Sequence, residues 1–129
     1  MAAVVAVVNY KGKILLGKKR SDSHKFLAGQ WHIPGETIEK GETDEQALKR
    51  GIREEAGLEI EVGRYIGKTI SPTNKMEVRW HECFAYTDKI EIGSDLENAD
   101  WFIREDVPDK IGYRAKSLWP PEIMDYFSH

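Results

Sequence analysis

Residues 35–58 read GETIEKGETDEQALKRGIREEAGL, and this stretch decides how the rest of the chain is interpreted. Its second half predicts a helix over residues 44–56. Thr43 followed by Gln46 matches a capping box, acidic residues occupy the first turn, and Gly57 is a suitable C-terminal cap. The strongest local signal in the sequence is therefore one well-capped helix.

The faces of this helix are unequal in polarity. At about 100° per residue, three apolar residues share one face, which we expect to pack on the core: Leu48, Ile52 and Ala56. Glu54 and Glu55 lie at one edge of this face with Arg50 beside them. Paired carboxylates near the Gly35 carbonyl are hard oxygen ligands of the kind that Mg²⁺ or Mn²⁺ prefers. A solvated acidic surface is the other interpretation of the same spacing.

Strand-like segments surround the helix on both sides. Their approximate ranges are 2–9, 14–18, 31–33, 58–70, 76–87 and 99–103. Residues 10–13 predict a hairpin turn, Pro34-Gly35 a turn after the third strand, and residues 104–108 a loop or single helical turn. Residues 120–127 begin with two prolines and favour a short terminal helix. These elements predict an α/β sandwich with a mixed sheet.

Composition narrows the function classes. A chain of 129 residues fits one domain, here 1–129. The net charge of −3 gives no basic face for a nucleic-acid polymer, so a small anionic ligand fits better. Cys83 is the only cysteine, which excludes an intrachain disulfide and favours a buried thiol. The apolar run 2–8 is too short to cross a membrane and lacks the basic start of a signal peptide. We expect a cytoplasmic protein.

The whole stretch 35–58 resembles the Nudix box of the Nudix (MutT-like) hydrolases. The family pattern is Gly, five residues, Glu, seven residues, Arg-Glu, an aliphatic residue, any residue, Glu-Glu, any residue, Gly and an aliphatic residue. Seven positions match in register: Glu42, Arg50, Ile52, Glu54, Glu55, Gly57 and Leu58. The preceding residues 29–35 are similar to the usual lead-in, and residues 95–107 resemble a downstream segment in which an acidic residue precedes a Trp-Phe strand.

The resemblance implies a Nudix-type α/β/α sandwich and a metal-dependent pyrophosphohydrolase. Such an enzyme cleaves a nucleoside diphosphate linked to another moiety, with Mg²⁺ or Mn²⁺ neutralising charge on the phosphoryl oxygens. By carry-over, Glu54 and Glu55 would bind metal with the Gly35 carbonyl, and Glu54 would also be catalytic. The substrate would be a small nucleotide derivative, and a homodimer is a common assembly among relatives.

Three further residues take their expected roles from the same resemblance. Arg50 and Glu42 would orient the carboxylates, and Arg50 is one of the residues that we expect to matter for catalysis. Asp95 aligns with a loop carboxylate that binds metal or acts as the base, and Glu97 lies close enough to compete for that role.

Two positions depart from the box. Glu36 replaces its first Gly, and Gly51 replaces the Glu that should follow Arg50. Three interpretations are open. The enzyme works with fewer metal ions or with a remote base such as Asp95; Glu36 reaches the metal site and compensates for Gly51; or the fold survives as a catalytically impaired nucleotide-binding or regulatory module. A sporadic Glu-to-Gly change is a remaining alternative.

Substrate contacts are harder to assign from sequence. Arg20 follows the second strand and Arg79 lies on a later one, so either side chain is a candidate for phosphate. Trp31 and Trp80 are candidates for stacking on a base, as is Trp119, although aromatic residues are more often part of the core. Lys18 and Lys19 are expected to be a solvated basic turn. These residues do not distinguish among the substrates of the family.

Overall fold

The computed structural model describes residues 2–128. Seven strands are present: β1 (Ala2–Tyr10), β2 (Lys13–Lys19), β3 (Trp31–His32), β4 (Gly35–Thr37), β5 (Ile60–Ile70), β6 (Glu77–Ala85) and β7 (Leu96–Ile103). Four helices are present: α1 (Asp44–Ala56), α2 (Val107–Lys110), α3 (Tyr113–Lys116) and α4 (Pro121–Phe127). A 3₁₀ turn, Arg104–Asp106, leads into α2.

The sheet is mixed, as predicted. Its main path runs β3-β2-β1-β6-β5, with β4 paired to β1 and β7 paired to β2. The β1–β6 pair is parallel, and the other pairs are antiparallel. Strand β1 changes neighbour along its length, because Ala3 pairs with Thr37 of β4 whereas Asn9 pairs with Ile14 of β2. This change places β4 at one end of the sheet, where α1 crosses it.

Alternation along β1 divides the core into two layers. Val4, Ala6 and Val8 pack with the apolar face of α1. Val5 and Val7 point to the other face and pack with residues of α2, α3 and α4. Side chains alternate across a strand, so one buried strand supplies both layers. The predicted α/β/α sandwich is confirmed.

Helix α1 has the predicted bounds and the predicted caps. The Gln46 backbone N–H donates to Thr43 Oγ1 at 3.1 Å, and the Thr43 N–H donates to Gln46 Oε1 at 2.9 Å. Gly57 ends the helix with φ 66°, a conformation that glycine adopts without a Cβ penalty. The first turn is fixed to β6 because Arg79 donates two hydrogen bonds to Asp44, at 2.7 and 2.6 Å.

Local patterns missed part of the architecture. Gly35 begins β4 and does not form only a turn, because pairing with β1 extends the backbone there. Strand β7 begins at Leu96, three residues earlier than predicted; its polar start pairs with Lys18 and Lys19 across an irregularity in the register. Residues 104–108, predicted as a loop or single helical turn, form the 3₁₀ turn and the start of the one-turn helix α2, and α3 lies in a segment for which no element was predicted. Each difference depends on a partner that is distant in sequence.

Within residues 2–128, no helix combines the length and the apolar character needed to cross a membrane.

Candidate active site

A cleft of about 370 Å³ lies beside the C-terminal half of α1. Its acidic lining residues come from three separate elements: Glu36 from β4, Glu55 from α1 and Asp95 from the segment before β7. Lys19 and Lys25 contribute cations to the same cleft. Aromatic and apolar side chains complete it, among them Phe26, Leu27, Trp80, Leu118 and Trp119. The volume and this combination of charged and aromatic groups suit a small ligand with both an anionic and a flat apolar part.

Glu55 is the unusual residue of the cleft. It is only 8% exposed, and among the described residues its Oε2 atom has no hydrogen-bond partner. Burial, and then the charge of Glu36, raise the pKa of Glu55 to about 8. A buried ionised carboxylate is costly unless a cation or donors surround it. The side chain is therefore arranged as a ligand that has a free oxygen.

Glu54 differs from Glu55 although the two are adjacent. Its side chain is 59% exposed and lies 3.5 Å from Arg50 Nη1, one turn earlier on the helix. It is absent from the described lining of the cleft. Both carboxylates were expected at one edge of the apolar face. Instead, Glu55 turns inward, whereas Glu54 lies at the surface beside Arg50, which also lies near Glu36.

Arg50 connects α1 to the preceding loop. It donates to both Glu42 oxygens at 2.7 and 2.9 Å and to the Thr37 carbonyl at 2.9 Å. These hydrogen bonds hold the pKa of the Glu42 carboxyl below its usual range and raise the pKa of Arg50 further. Arg50 Nη1 also lies 3.7 Å from Glu36 Oε2. Arg50 and Glu42 therefore act on the acidic residues by position, in line with the orienting role that the resemblance implies.

Glu36 extends from β4 over the helix at Gly51. A Cβ atom built on Gly51 would lie 2.8 Å from Glu36 Cβ and 3.6 Å from Glu36 Oε2. Glu36 also accepts a hydrogen bond at Oε1 from the Thr37 N–H at 3.1 Å. The two positions that depart from the box are direct neighbours. This contact is the one that the second interpretation of the departures requires, in which Glu36 compensates for Gly51.

Asp95 lies in the cleft, whereas its competitor Glu97 is occupied elsewhere. Glu97 accepts from the Ser21 N–H at 2.7 Å and the Ser21 hydroxyl at 2.9 Å, and Lys18 Nζ lies 3.4 Å away. The negative charge of Asp95 contributes to the raised pKa of Glu55. Asp95 is thus the loop carboxylate that acts on the buried glutamate.

Three of the five expected substrate contacts lie outside the cleft. Arg20 is exposed and pairs with Asp22 at 2.9 Å. Arg79 binds Asp44 and Glu77, and its part of the surface is a separate groove. Trp31 packs edge-on against Phe102, with ring centroids 5.0 Å apart.

Trp80 lines the cleft, as expected for a stacking or base-contacting residue. It is 4% exposed, and its Nε1 atom has no hydrogen-bond partner within the described residues. Trp119 also lines the cleft and stacks on Phe127 at 5.3 Å. A buried indole N–H usually finds a partner, so a polar group of a ligand would satisfy this one.

Lys19 and Lys25 were missed as candidate contacts from the sequence. Lys19 was expected in a solvated turn, and Lys25 carried no motif. Lys18 lies 3.4 Å from Glu97 whereas its neighbour Lys19 lines the cleft, and the irregular register between these two residues left no usable signal in the sequence. His32 lines the cleft too, and burial lowers its pKa to about 4, so it is neutral near pH 7.

The donor set fits a divalent cation in chemical type. Glu55 offers an unpartnered buried oxygen, and Glu36 and Asp95 supply further carboxylates in the same cleft. Among residues 2–128, no three acidic, histidine or cysteine side chains surround a common point as a finished metal cage would. Hard cations keep waters and bind substrate oxygens, so one or two carboxylates from the protein suffice for Mg²⁺.

Comparisons with known proteins agree with this geometry. A family model described as the NUDIX domain matches residues 1–120. The CTP pyrophosphohydrolase of Escherichia coli (strain K12) is 41% identical over 63 residues, which cover 49% of this chain and 45% of that protein. The oxidized purine nucleoside triphosphate hydrolase of Danio rerio is 31% identical over 124 residues, covering 93% of this chain and 77% of that protein.

A NUDIX hydrolase from Nitrosomonas europaea has the same fold, with a TM-score of 0.83 at 19% identity. The similarity covers 98% of this chain and 69% of that one. The chain thus spans less than half of the Escherichia coli relative but most of the Danio rerio one. Because the family model covers residues 1–120 of the sequence, the chain belongs to the Nudix hydrolase family.

Proposed function

We propose that this protein is a Mg²⁺- or Mn²⁺-dependent pyrophosphohydrolase of a small nucleotide derivative. The observation that carries the proposal is the unpartnered buried Oε2 of Glu55 in a cleft that also holds lysines and Trp80. A negative group without a partner suits a cation, lysines suit phosphate oxygens, and an indole suits a base. The family relatives named for nucleotide hydrolysis support the same class.

Each residue of the cleft has a distinct part in this proposal. A divalent cation, when bound, neutralises charge on the phosphoryl oxygens and so favours attack on phosphorus. Glu55 binds it, with the Gly35 carbonyl near the same end of the cleft. Asp95 accepts the proton of the attacking water as general base. Lys19 and Lys25 hold the phosphates, and Trp80 contacts the base.

Arg50, Glu42 and Glu54 act from outside the cleft. Arg50 and Glu42 hold the loop between β4 and α1 against the helix, through the hydrogen bonds of Arg50 to Glu42 and to the Thr37 carbonyl. Glu54 lies at the surface beside Arg50 and is proposed as a second, exposed carboxylate for metal at the rim. We assign no substrate contact to Arg20, Trp31 or Arg79, because protein groups already occupy them.

The proposed substrate is a nucleoside diphosphate linked to another moiety, with oxidised purine triphosphates and CTP as the first compounds to test. The names of the two sequence relatives motivate this choice. We further propose that residues 1–129 form one domain in the cytoplasm and that it acts as a homodimer, which sedimentation of the purified protein would measure.

A second candidate function is a nucleotide-binding module without turnover. The observation that favours it is Gly51, which leaves the helix without one carboxylate of the box. Such a protein would bind nucleotides and be stabilised thermally by them without hydrolysing them.

Turnover measured over a panel of nucleotide derivatives, with Mg²⁺ and with Mn²⁺, tests the proposal. We expect hydrolysis of at least one compound, lost by 100-fold or more (about 3 kcal/mol in the barrier) in Glu55→Gln. Glu45→Gln is the matched control, because Glu45 is an exposed acid on the same helix, paired only with Lys49 at 2.9 Å. Hydrolysis unaffected by Glu55→Gln would refute the assigned site. Ligand-induced stabilisation without any turnover would instead support the binding module.

A further inference from the structure

Gly51 lies on the buried side of α1, under the side chain of Glu36. A Cβ there would be 2.8 Å from Glu36 Cβ and 3.2 Å from Glu36 Cγ, both too close for ordinary contact. Cβ and Cγ are the atoms of the Glu36 side chain nearest the backbone and not its flexible end, so β4 itself would have to move. The glycine is required because Glu36 occupies the space.

The space around Gly51 is already filled. The void between β4 and α1, which Gly51, Glu36 and Glu55 line, has a volume of about 10 Å³. This is near the lower limit for one water molecule. A glutamate at position 51 would therefore not fit while Glu36 keeps its place, and the two carboxylates would also repel each other.

The Glu36 carboxylate is held by two neighbouring groups. The Thr37 N–H binds its Oε1 at 3.1 Å, and Arg50 Nη1 lies 3.7 Å from its Oε2. Glu36 lines the same cleft as Glu55, and its negative charge acts on Glu55 more strongly than that of Asp95. Position 36 on β4 thus projects an acid to the same end of the cleft as the helix position 51 would have done.

A cluster of acids alone would not indicate a ligand. Here a second, independent observation does: Glu55 is 8% exposed and its Oε2 is unpartnered beside Glu36. Two carboxylates without a cation between them in a buried cleft repel, and a bound cation removes both the repulsion and the unsatisfied oxygen.

We propose that Glu36 supplies, from β4, the metal-directed carboxylate that Gly51 removes from α1. The acid has been exchanged between two contacting positions and has not been lost. This inference rests on the proposed metal-dependent function, since it names a residue of that site. It also explains why the two departures occur together: the glycine at position 51 leaves room for the Glu36 side chain, and Glu36 restores the acid that is missing from position 51.

The test is a four-protein cycle comprising the natural protein, Glu36→Gly, Gly51→Glu and the exchanged double variant Glu36→Gly/Gly51→Glu. Mn²⁺ binding is measured by the loss of the free-ion electron paramagnetic resonance signal, and Mg²⁺-induced thermal stabilisation is measured in parallel. Glu36→Gln is added because it keeps the Cβ and Cγ atoms that pack over Gly51 while removing the charge.

We expect Glu36→Gly and Glu36→Gln each to weaken Mn²⁺ binding by roughly ten-fold or more. Gly51→Glu alone should melt at lower temperature and bind no better than the natural protein, because two acids compete for one space. The exchanged variant should recover Mn²⁺ affinity to within about three-fold of the natural protein, a restoration that requires coupling between the two sites.

Natural affinity in Glu36→Gln, or an exchanged variant no better than the worse single variant, would overturn the inference. The outcome is separable from that of the proposed function. If the natural protein turns over substrate and loses turnover in Glu55→Gln while Glu36→Gln binds Mn²⁺ normally, the function stands and the exchange fails. If Mn²⁺ binding follows the exchange but no compound is hydrolysed, the exchange stands and the hydrolase fails. Absence of Mn²⁺ binding by the natural protein overturns both.

Discussion

At the residue scale, one buried carboxyl group determines the chemistry of the cleft. Glu55 is on the core-facing side of an otherwise apolar helix face, in contact with a space that other acids line. Ordinary core packing would place an apolar side chain there. A carboxylate at such a position reduces the stability of the metal-free protein, a cost that active sites often carry for function.

This cost leads to a pH prediction for the metal-free protein. Because the folded pKa of Glu55 is about 8, above its ordinary value of 4.5, the folded state retains a proton that the unfolded state loses. The stability that this proton confers is full below about pH 4.5 and is lost as the pH rises to about 8. We expect Glu55→Gln to remove this dependence and to exceed the natural protein in unfolding free energy by about 2–4 kcal/mol at pH 8.5.

Urea unfolding at pH 5 and pH 8.5, each with a chelator, measures this difference. Added Mg²⁺ should restore stability to the natural protein at pH 8.5 and leave Glu55→Gln unchanged. Equal pH dependence in the two proteins would show that Glu55 is not the group that loses its proton.

At the element scale, the contact between α1 and β4 is the decisive one. Helix α1 itself was predictable to its end residues because its signals are local: Thr43 and Gln46 at the start and Gly57 at the end. Strand β4 was not predictable. Its three residues carry no periodicity of their own, and pairing with β1 makes them a strand. The sequence raised the relation of Glu36 to Gly51 only as one of several interpretations, because the contact depends on the pairing of β4 with β1.

The close contact between Gly51 and Glu36 predicts that the effect of Gly51→Ala on stability has opposite signs in two backgrounds. In a free helix interior, alanine in place of glycine stabilises by roughly 0.5–1 kcal/mol. In the natural protein, Gly51→Ala meets Glu36 Cβ at 2.8 Å, so we expect a net loss of about 1–2 kcal/mol. In the Glu36→Gly background, the same Gly51→Ala change should stabilise by about 0.5–1 kcal/mol.

Thermal or urea unfolding of the natural protein, Gly51→Ala, Glu36→Gly and the double variant gives the coupling energy between positions 36 and 51 directly. The measurement does not depend on metal. A Gly51→Ala change that stabilises both backgrounds equally would mean that Glu36 does not pack over the helix as described.

At the scale of the whole molecule, the sheet brings together acids from elements that are far apart in sequence. Glu36, Glu55 and Asp95 come from a short strand, a helix and a loop, and all three line one cleft. The family box identified the first two from sequence, and the downstream segment identified the third. The cations Lys19 and Lys25 were not identifiable, because their positions depend on the strand pairing and the loop that closes the cleft.

Two arginines that were expected to contact the substrate are bound by other side chains of the protein instead. Arg20 and Arg79 have the right chemistry for phosphate, but Asp22 and Asp44 occupy them. Residue type and strand position cannot reveal such a partner. Trp80 lies on β6 next to β1, belongs to the buried core and lines the cleft, so its contact with a base stays a prediction.

The most direct test of the central claim is an anomalous difference map from crystals of the protein grown with Mn²⁺ and a non-hydrolysable nucleotide analogue. We predict a manganese peak in the cleft within about 2.0–2.3 Å of a Glu55 oxygen, with the Glu36 carboxylate as a second protein ligand. No peak in the cleft, or a peak bound by other residues with Glu55 left out, would contradict the account.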